Sequence, residues 1–359
     1  MNGQTVNPRE VPSAAPSTTW SEVVESDEQA LFEEFAREIA ARQKTVAQQT
    51  HGPLLRGFHA KLHAGLMAEF QVLADLPPQA RFGVFIEPQI FPAAVRFSNG
   101  EPSPHPDKHR EPRGIAIKLV GIPGRKLLPG QEDAVTQDFL ATSHSVTSTV
   151  RSARQFIAFI RASRNPFTLP FALARAVGVL ESLRILKALV STVLLSRVRS
   201  MAMEHYSGTA PIKFGPYAVK FTVRPTKGTE ATTSRPPRNG VNFLRDELAD
   251  RLRKGDLVFD FLVQFYLDDT RTPIEDTSIP WKPEDAPFVK VAQVRIPRCD
   301  LDDPHTSALS EAVERLSFTP WHTTDDHRPL GNVMRARRVA YRASSTLRGH
   351  SPEPTRLPL

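Results

Sequence analysis

The sequence predicts one α+β domain built on an antiparallel β-barrel with helices around it. Three observations carry that expectation. Seven to eight apolar segments of strand character are separated by turn signals rich in Gly and Pro. The helical segments collect late in the chain, which suits a barrel wrapped by helices better than alternating β–α units. Finally, 359 residues with 40% hydrophobic and 24% charged content can bury a sizeable core, which excludes global disorder.

Residues 1–21 are polar and rich in Pro, Ser and Thr, and read as a disordered tail. The domain is expected over 22–350, with a second tail at 351–359. Residues 27–49 carry a helical period, with acids early and bases later, as the helix dipole favours. From 80 to 143 the texture changes to strands: RFGVFIEPQIF, AAVRFSNG, RGIAIKLVG and TQDFLATS. The turns NGEPSPHPD and GIPGRKLLPGQED divide them. A helical segment follows at 151–163, and then a long apolar stretch at 167–203 whose Leu and Val residues recur at steps of three and four, from Leu173 to Val198. Strands return at 217–225, 257–267 and 288–296, with the short helix NFLRDELADRLRKG between the first two. The segment NVMRARRVAYRASSTLRGH reads as the last helix.

Composition excludes several classes. The net charge is +7, but the 46 basic residues are scattered among 39 acidic ones and no nucleic-acid motif appears, so no nucleic-acid partner is expected. The single Cys299 excludes a disulfide framework and a multi-cysteine metal site. The opening residues hold no apolar run, so a cytoplasmic location is expected. Arg175, Glu181, Arg184, Lys187 and Arg197 interrupt the stretch 167–203, which excludes a transmembrane span. A helix packed on the domain is the favoured reading there, with peripheral membrane contact kept open.

Five pieces carry chemistry. Tyr341 has Arg337 four residues before it and Arg348 seven after, which puts all three on one face of a helix. A guanidinium beside a phenol stabilises the phenolate, one of the few ligands that hold ferric haem iron. Alone, this run reads rather as an amphipathic helix with solvated arginines. The second piece, LLRGFHAKLHAG, contains His59 three residues after Arg56; a lone His is more often structural. In AAVRFSNG, Arg96 and Ser98 share a strand face. REPRGIAIKL brings two arginines into a strand, and RNP at 164–166 follows Phe156 and Phe159.

In this order the pieces resemble the haem catalase family, from about His51 to His350. The resemblance implies a catalase-like barrel, haem b as cofactor, and peroxide chemistry. It implies that His59 works above the haem, that Tyr341 is the iron ligand, and that Arg337 keeps Tyr341 ionised. It further implies that Arg56, Arg96 and Arg348 pair with haem propionates. Ser98 is expected to orient His59, and Phe156 or Phe159 to flank the haem plane.

Three departures shape the expectation. The family's distal asparagine falls on Val135, Thr136 or Gln137; strand alternation lets only one of Thr136 and Gln137 face the haem, and Thr136 is the preferred hydrogen-bonding substitute. Phe58 stands where large catalases have a small branched residue. The long C-terminal helical region of large catalases is expected to be missing. Together these predict a haem peroxidase for hydrogen peroxide or organic hydroperoxides, with weak catalase activity and an organic electron donor. The alternatives are a fatty-acid hydroperoxide lyase or isomerase resembling allene oxide synthase, and a non-enzymatic haem carrier. A homodimer is kept open.

Overall fold

The computed structural model describes residues 15–143, 149–165, 167–191, 198–227, 240–349 and 352–357. Its sheet begins with β1 (Leu62–Val72), which pairs antiparallel with β2 (Ile90–Asn99) through Leu62 opposite Ser98 and Phe70 opposite Phe91. β3 (Arg113–Val120) and β4 (Thr136–Thr142) extend the sheet on that side. On the other side of β1 come β9 (Val289–Ile296), β8 (Leu257–Phe265) and β7 (Tyr217–Pro225). The two-residue β5 (Tyr206–Ser207) closes the ring, with Ser207 opposite Thr142 and Tyr206 opposite Val223. β6 (Ile212–Phe214) adds a hairpin to β7. All these pairings are antiparallel, so the α+β barrel expected from the sequence is what forms.

The inside of the barrel is filled with phenylalanine. Phe259, Phe261 and Phe265 of β8 are buried and alternate along the strand, as residues sharing one face must. Phe139 lies 5.0 Å from Phe261 and 5.9 Å from Phe70, centroid to centroid, and Phe221 stacks on Phe261 at 5.1 Å. A plugged barrel leaves ligand space only outside its wall. Because Phe97 and Ile115 join this core, alternation turns their neighbours Arg96, Ser98, Gly114 and Ala116 outward. That face becomes one wall of the site.

The helices supply the other walls. α1 (Glu28–Thr50) buries Phe32, Phe35, Ala36 and Ile39, one stripe at helical spacing, and packs along α7 (Asn332–Leu347). Arg335 of α7 pins the chain ahead of α1 by pairing with Glu22 at 2.8 Å and Glu28 at 2.6 Å. α2 (Ala153–Ala162) starts at Ser152, whose side chain accepts from the Gln155 N–H. α3 (Leu169–Val177), α4 (Val179–Leu189) and α5 (Phe243–Lys254) follow. α6 (Pro304–Arg315), capped by Asp303, lies on β1 and β2. A Cβ on Gly65 would fall 2.7 Å from Val313 Cβ, so this glycine lets α6 approach the sheet.

Several expectations are corrected here. The segment 81–91 is a strand only from Ile90; Gly83–Phe85 forms a 3₁₀ turn, with Gly83 at φ 55°. β1 and α6 had no counterpart in the sequence reading. Within the stretch 167–203 the described residues form two helices, broken at Gly178 with φ 89°; Leu180, Leu183 and Val190 of the expected buried face are exposed, and Leu194 lies outside the described residues. No helix among the described residues is long and apolar enough to cross a membrane. Residues 1–14 of the expected tail lie outside the described residues, but from Ser17 the chain is held: Ser17 N–H donates to Tyr266 O, and the Trp20 indole to Pro216 O. The segment 352–357 is also anchored, through Glu353 and the buried Leu357.

Candidate active site

His59 has φ 58°, a left-handed conformation that costs a side-chain-bearing residue about 1–3 kcal/mol. Hydrogen bonds on every side hold it there. Its N–H donates to Gly100 O, Arg96 donates to its carbonyl at 2.9 Å, and its Nδ1 lies against Asn99 O. A carbonyl only accepts, so Nδ1 carries the proton and Nε2 presents a lone pair. Burial, and then repulsion by Arg96, lower the imidazole pKa to about 4, against the opposing bond to Asn99. His59 is therefore a neutral base of fixed tautomer.

The outer face of β2 and β3 shapes the pocket around this ring. Ser98 Oγ sits 3.2 Å from Nδ1. A Cβ on Gly114 would come within 2.5 Å of Nδ1 and 2.8 Å of Ser98 Oγ, so only glycine fits there. Opposite Gly114 in the ladder is Thr142. Its hydroxyl is buried, lines the cavity and has no hydrogen-bond partner among the described residues.

Thr136, expected above the haem, lies elsewhere. It stands opposite Val120 at the far end of β4, six residues from Thr142, which is about 20 Å of strand. Its hydroxyl donates to Glu353 at 2.6 Å, within a buried cluster of Lys118, Asp138, His322 and Glu353. Gln137 accepts from Thr323, and neither Gln137 nor Val135 reaches the cavity. Alternation sets the two faces of the strand, but the end of β4 that meets the cavity holds Leu140, Ala141 and Thr142.

α7 contributes Tyr341 and Arg337 to the same cavity, and Arg348, at its C-cap, joins them. Arg337 donates to the Tyr341 hydroxyl at 3.0 Å, one helical turn away. A phenol oxygen that accepts from a guanidinium is set up as a ligand atom rather than a donor. Phe156 and Phe159 both line the cavity, and Phe156 packs on Phe58 with centroids 6.2 Å apart. Of the RNP run, Arg164 pairs with Glu38 of α1, while Pro166 lies outside the described residues.

Arg56 and Arg96 converge on Glu314 of α6, at 3.2 and 2.6 Å. Burial first, and then Arg96, lower the Arg56 pKa to about 9. Burial and the repulsion of Arg96 also lower Arg348, whose Nε is buried without a partner among the described residues. Burial would raise Glu314, but Arg96 and Arg56 outweigh it and hold the carboxyl below its ordinary value. Three guanidiniums facing one carboxylate leave an excess of two positive charges. The sequence reading missed Glu314, because α6 itself was unread.

The cavity enclosed by these residues has a volume of about 560 Å³. It combines a phenol oxygen, a neutral base, apolar walls, and a rim whose excess positive charge suits two carboxylates. That donor set fits a haem with its two propionates. Tyr341 would ligate the iron, and Arg56, Arg96 and Arg348 would take the propionates.

No family model matches the sequence. A protein of Mycolicibacterium paratuberculosis (strain ATCC BAA-968 / K-10), named catalase-related peroxidase, is 30% identical over 270 residues, covering 72% of this chain and 78% of that one. Among solved structures, a bacterial catalase aligns with a TM-score of 0.63 at 15% identity over 99% of this chain and 70% of its own. Catalase A from Saccharomyces cerevisiae aligns with a TM-score of 0.62 at 14% identity, over 96% and 72%. At those identities the structural likeness speaks for the fold.

Proposed function

The chain belongs to the catalase-related peroxidases of the catalase-like family, and from that premise we propose that it is a peroxidase carrying haem b. Its substrates on this reading are hydrogen peroxide or organic hydroperoxides, with an organic electron donor and weak catalase activity. The observation that carries the proposal is His59: a buried, neutral imidazole whose Nδ1 is tied to Asn99 O and whose Nε2 is free to work in the cavity.

When bound, the haem supplies the redox centre at which an O–O bond is broken. The protein supplies proton transfer and position. His59 Nε2 takes the proton of a hydroperoxide and returns it to the departing oxygen, as a general base and then a general acid. Thr142 offers a hydroxyl on the same side, with a reach shorter than that of an amide. That weaker hold on a small peroxide is what supports low oxygen evolution. Tyr341 and Arg337 anchor the group from α7.

The test has two parts. Titration with haemin should give a ferric Soret band at one haem per chain, which Tyr341→Phe abolishes or greatly weakens. His59→Ala should keep the haem and lose ~10²–10⁴-fold in peroxide turnover. A loss under about threefold, far below that range, refutes the role of His59. Oxygen evolution that exceeds donor oxidation by orders of magnitude would make the protein a true catalase instead.

One observation favours a second reading, a lyase or isomerase of fatty-acid hydroperoxides that touches membranes peripherally. The α3–α4 hairpin exposes Phe167 (96%), Phe171 (74%) and Leu180 (84%), with the exposed bases Arg175 and Lys187 nearby, while Leu189 at its end lines the cavity. An apolar surface beside basic side chains suits an anionic lipid face. Sedimentation with anionic phospholipid vesicles tests the contact. An epoxide or aldehyde formed without a donor would select this reading over the first.

A further inference from the structure

At the rim of the cavity, the loop between β2 and β3 carries Glu101, His105 and His109, each four residues from the next. His105 Nε2 lies 3.1 Å from Glu101 Oε2, and His109 Nε2 lies 3.2 Å from Glu101 Oε1. The imidazoles are neighbours, with centroids 4.4 Å apart and planes inclined by 32°. One ligand atom from each residue lies within 4.8 Å of the other two. We propose that Glu101, His105 and His109 form a binding site for a divalent transition-metal ion of the zinc class, separate from the haem residues.

The donor set argues for that class. Two imidazole nitrogens and one carboxylate suit Zn²⁺ and its transition-metal neighbours, whereas Mg²⁺ and Ca²⁺ prefer all-oxygen shells. Bonds of ~2.0–2.2 Å in a tetrahedron put ligand atoms about 3.4 Å apart. The nitrogen–oxygen separations of 3.1 and 3.2 Å, each to a different oxygen of Glu101, are close to that. Three protein ligands leave a position open to water or to a small anion.

The backbone under each ligand is braced by a charged side chain. Glu111, with a buried carboxylate, accepts the Glu101 N–H at 2.9 Å. Lys61 donates to His105 O at 3.0 Å, and buried Arg113 donates to His109 O at 3.0 Å. Four prolines, Pro102, Pro104, Pro106 and Pro112, further restrict the loop. Outer partners of this kind orient the ligands of protein metal sites.

The position has a consequence for the cavity. Glu101 and His109 line its mouth, Gly100 O accepts the His59 N–H, and Glu101 O accepts the Ala60 N–H. An ion would neutralise the carboxylate at the mouth and stiffen the segment on which His59 rests.

The test is equilibrium dialysis of chelator-treated, haem-loaded protein against Zn²⁺, with zinc and iron counted separately by elemental analysis. One saturable zinc per chain at micromolar free Zn²⁺, with iron unchanged, is the expected result. His105→Gln and His109→Gln should each weaken binding by at least ~10-fold, since even outer-partner losses cost ~10–100-fold. His305→Ala, on α6, should leave it unchanged. Absence of saturable binding below 100-fold higher Zn²⁺, or binding that survives both glutamine variants, overturns the proposal. The same dialysis on haem-free protein keeps this outcome independent of the haem reading.

Discussion

Replacing Gly114 by Ala should disable the base without replacing it. The new Cβ would stand 2.5 Å from His59 Nδ1 and 2.8 Å from both His59 Cε1 and Ser98 Oγ, where ordinary contact begins at 3.4 Å. About 1 Å of movement is therefore demanded of a ring already held by Asn99 and a strained backbone. Misplacement on that scale costs on the order of 10²-fold in rate. The ceiling is the ~10²–10⁴-fold expected for losing the base outright. The methyl itself favours the strand by about 0.5–1 kcal/mol over glycine, which offsets only part of the ~1–3 kcal/mol that such crowding costs, so a modest loss of stability is expected. The assay is peroxide-dependent oxidation of an organic donor by haem-loaded protein, with haem content and melting temperature measured on the same sample. A cycle with His59→Ala completes it: once the imidazole is gone, Gly114→Ala should have almost no further effect on turnover. Full activity in Gly114→Ala, or two losses that simply add, would refute the contact as the reason for the glycine.

Four further outcomes follow from the charges. Because the His59 pKa is near 4, its base form persists well below the ordinary histidine range; kcat/KM should stay level from neutral pH down to about pH 5 and fall as pH drops through 4. For stability, His59 and His327 (pKa about 3) bind protons more readily unfolded than folded, so a melting-temperature profile should decline as pH falls below about 6.5 and level off only below the folded values. Glu314→Gln removes the one carboxylate among Arg56, Arg96 and Arg348; calorimetry should show a loss of ~1.5–3 kcal/mol in haem-free protein and a smaller loss with haem bound. Glu353→Ala takes a buried acceptor from Lys118 and Thr136, so thermal stability should fall by ~1.5–3 kcal/mol and the 352–357 segment should become more sensitive to protease.

What the sequence determined by itself was what contiguous chain can encode. Tyr341, Arg337 and Arg348 lie within twelve residues on one helix and its C-cap, so the 3.6-residue period brings them together before any packing is known. Alternation likewise turned Arg96 and Ser98 to one face of β2, and the order of the short motifs pointed to the catalase-like family. Tertiary structure decided the rest. Alternation names the face of β4 but not which end of it borders the cavity, and the register of β4 on β3, with Thr142 opposite Gly114, brought Thr142 rather than Thr136 to the cavity. Glu314 reached the arginines only because Gly65 lets α6 lie close on β1, a contact between segments some 250 residues apart. Local periods are properties of neighbouring residues, whereas cavities are made by distant segments whose pairing no single stretch of sequence specifies.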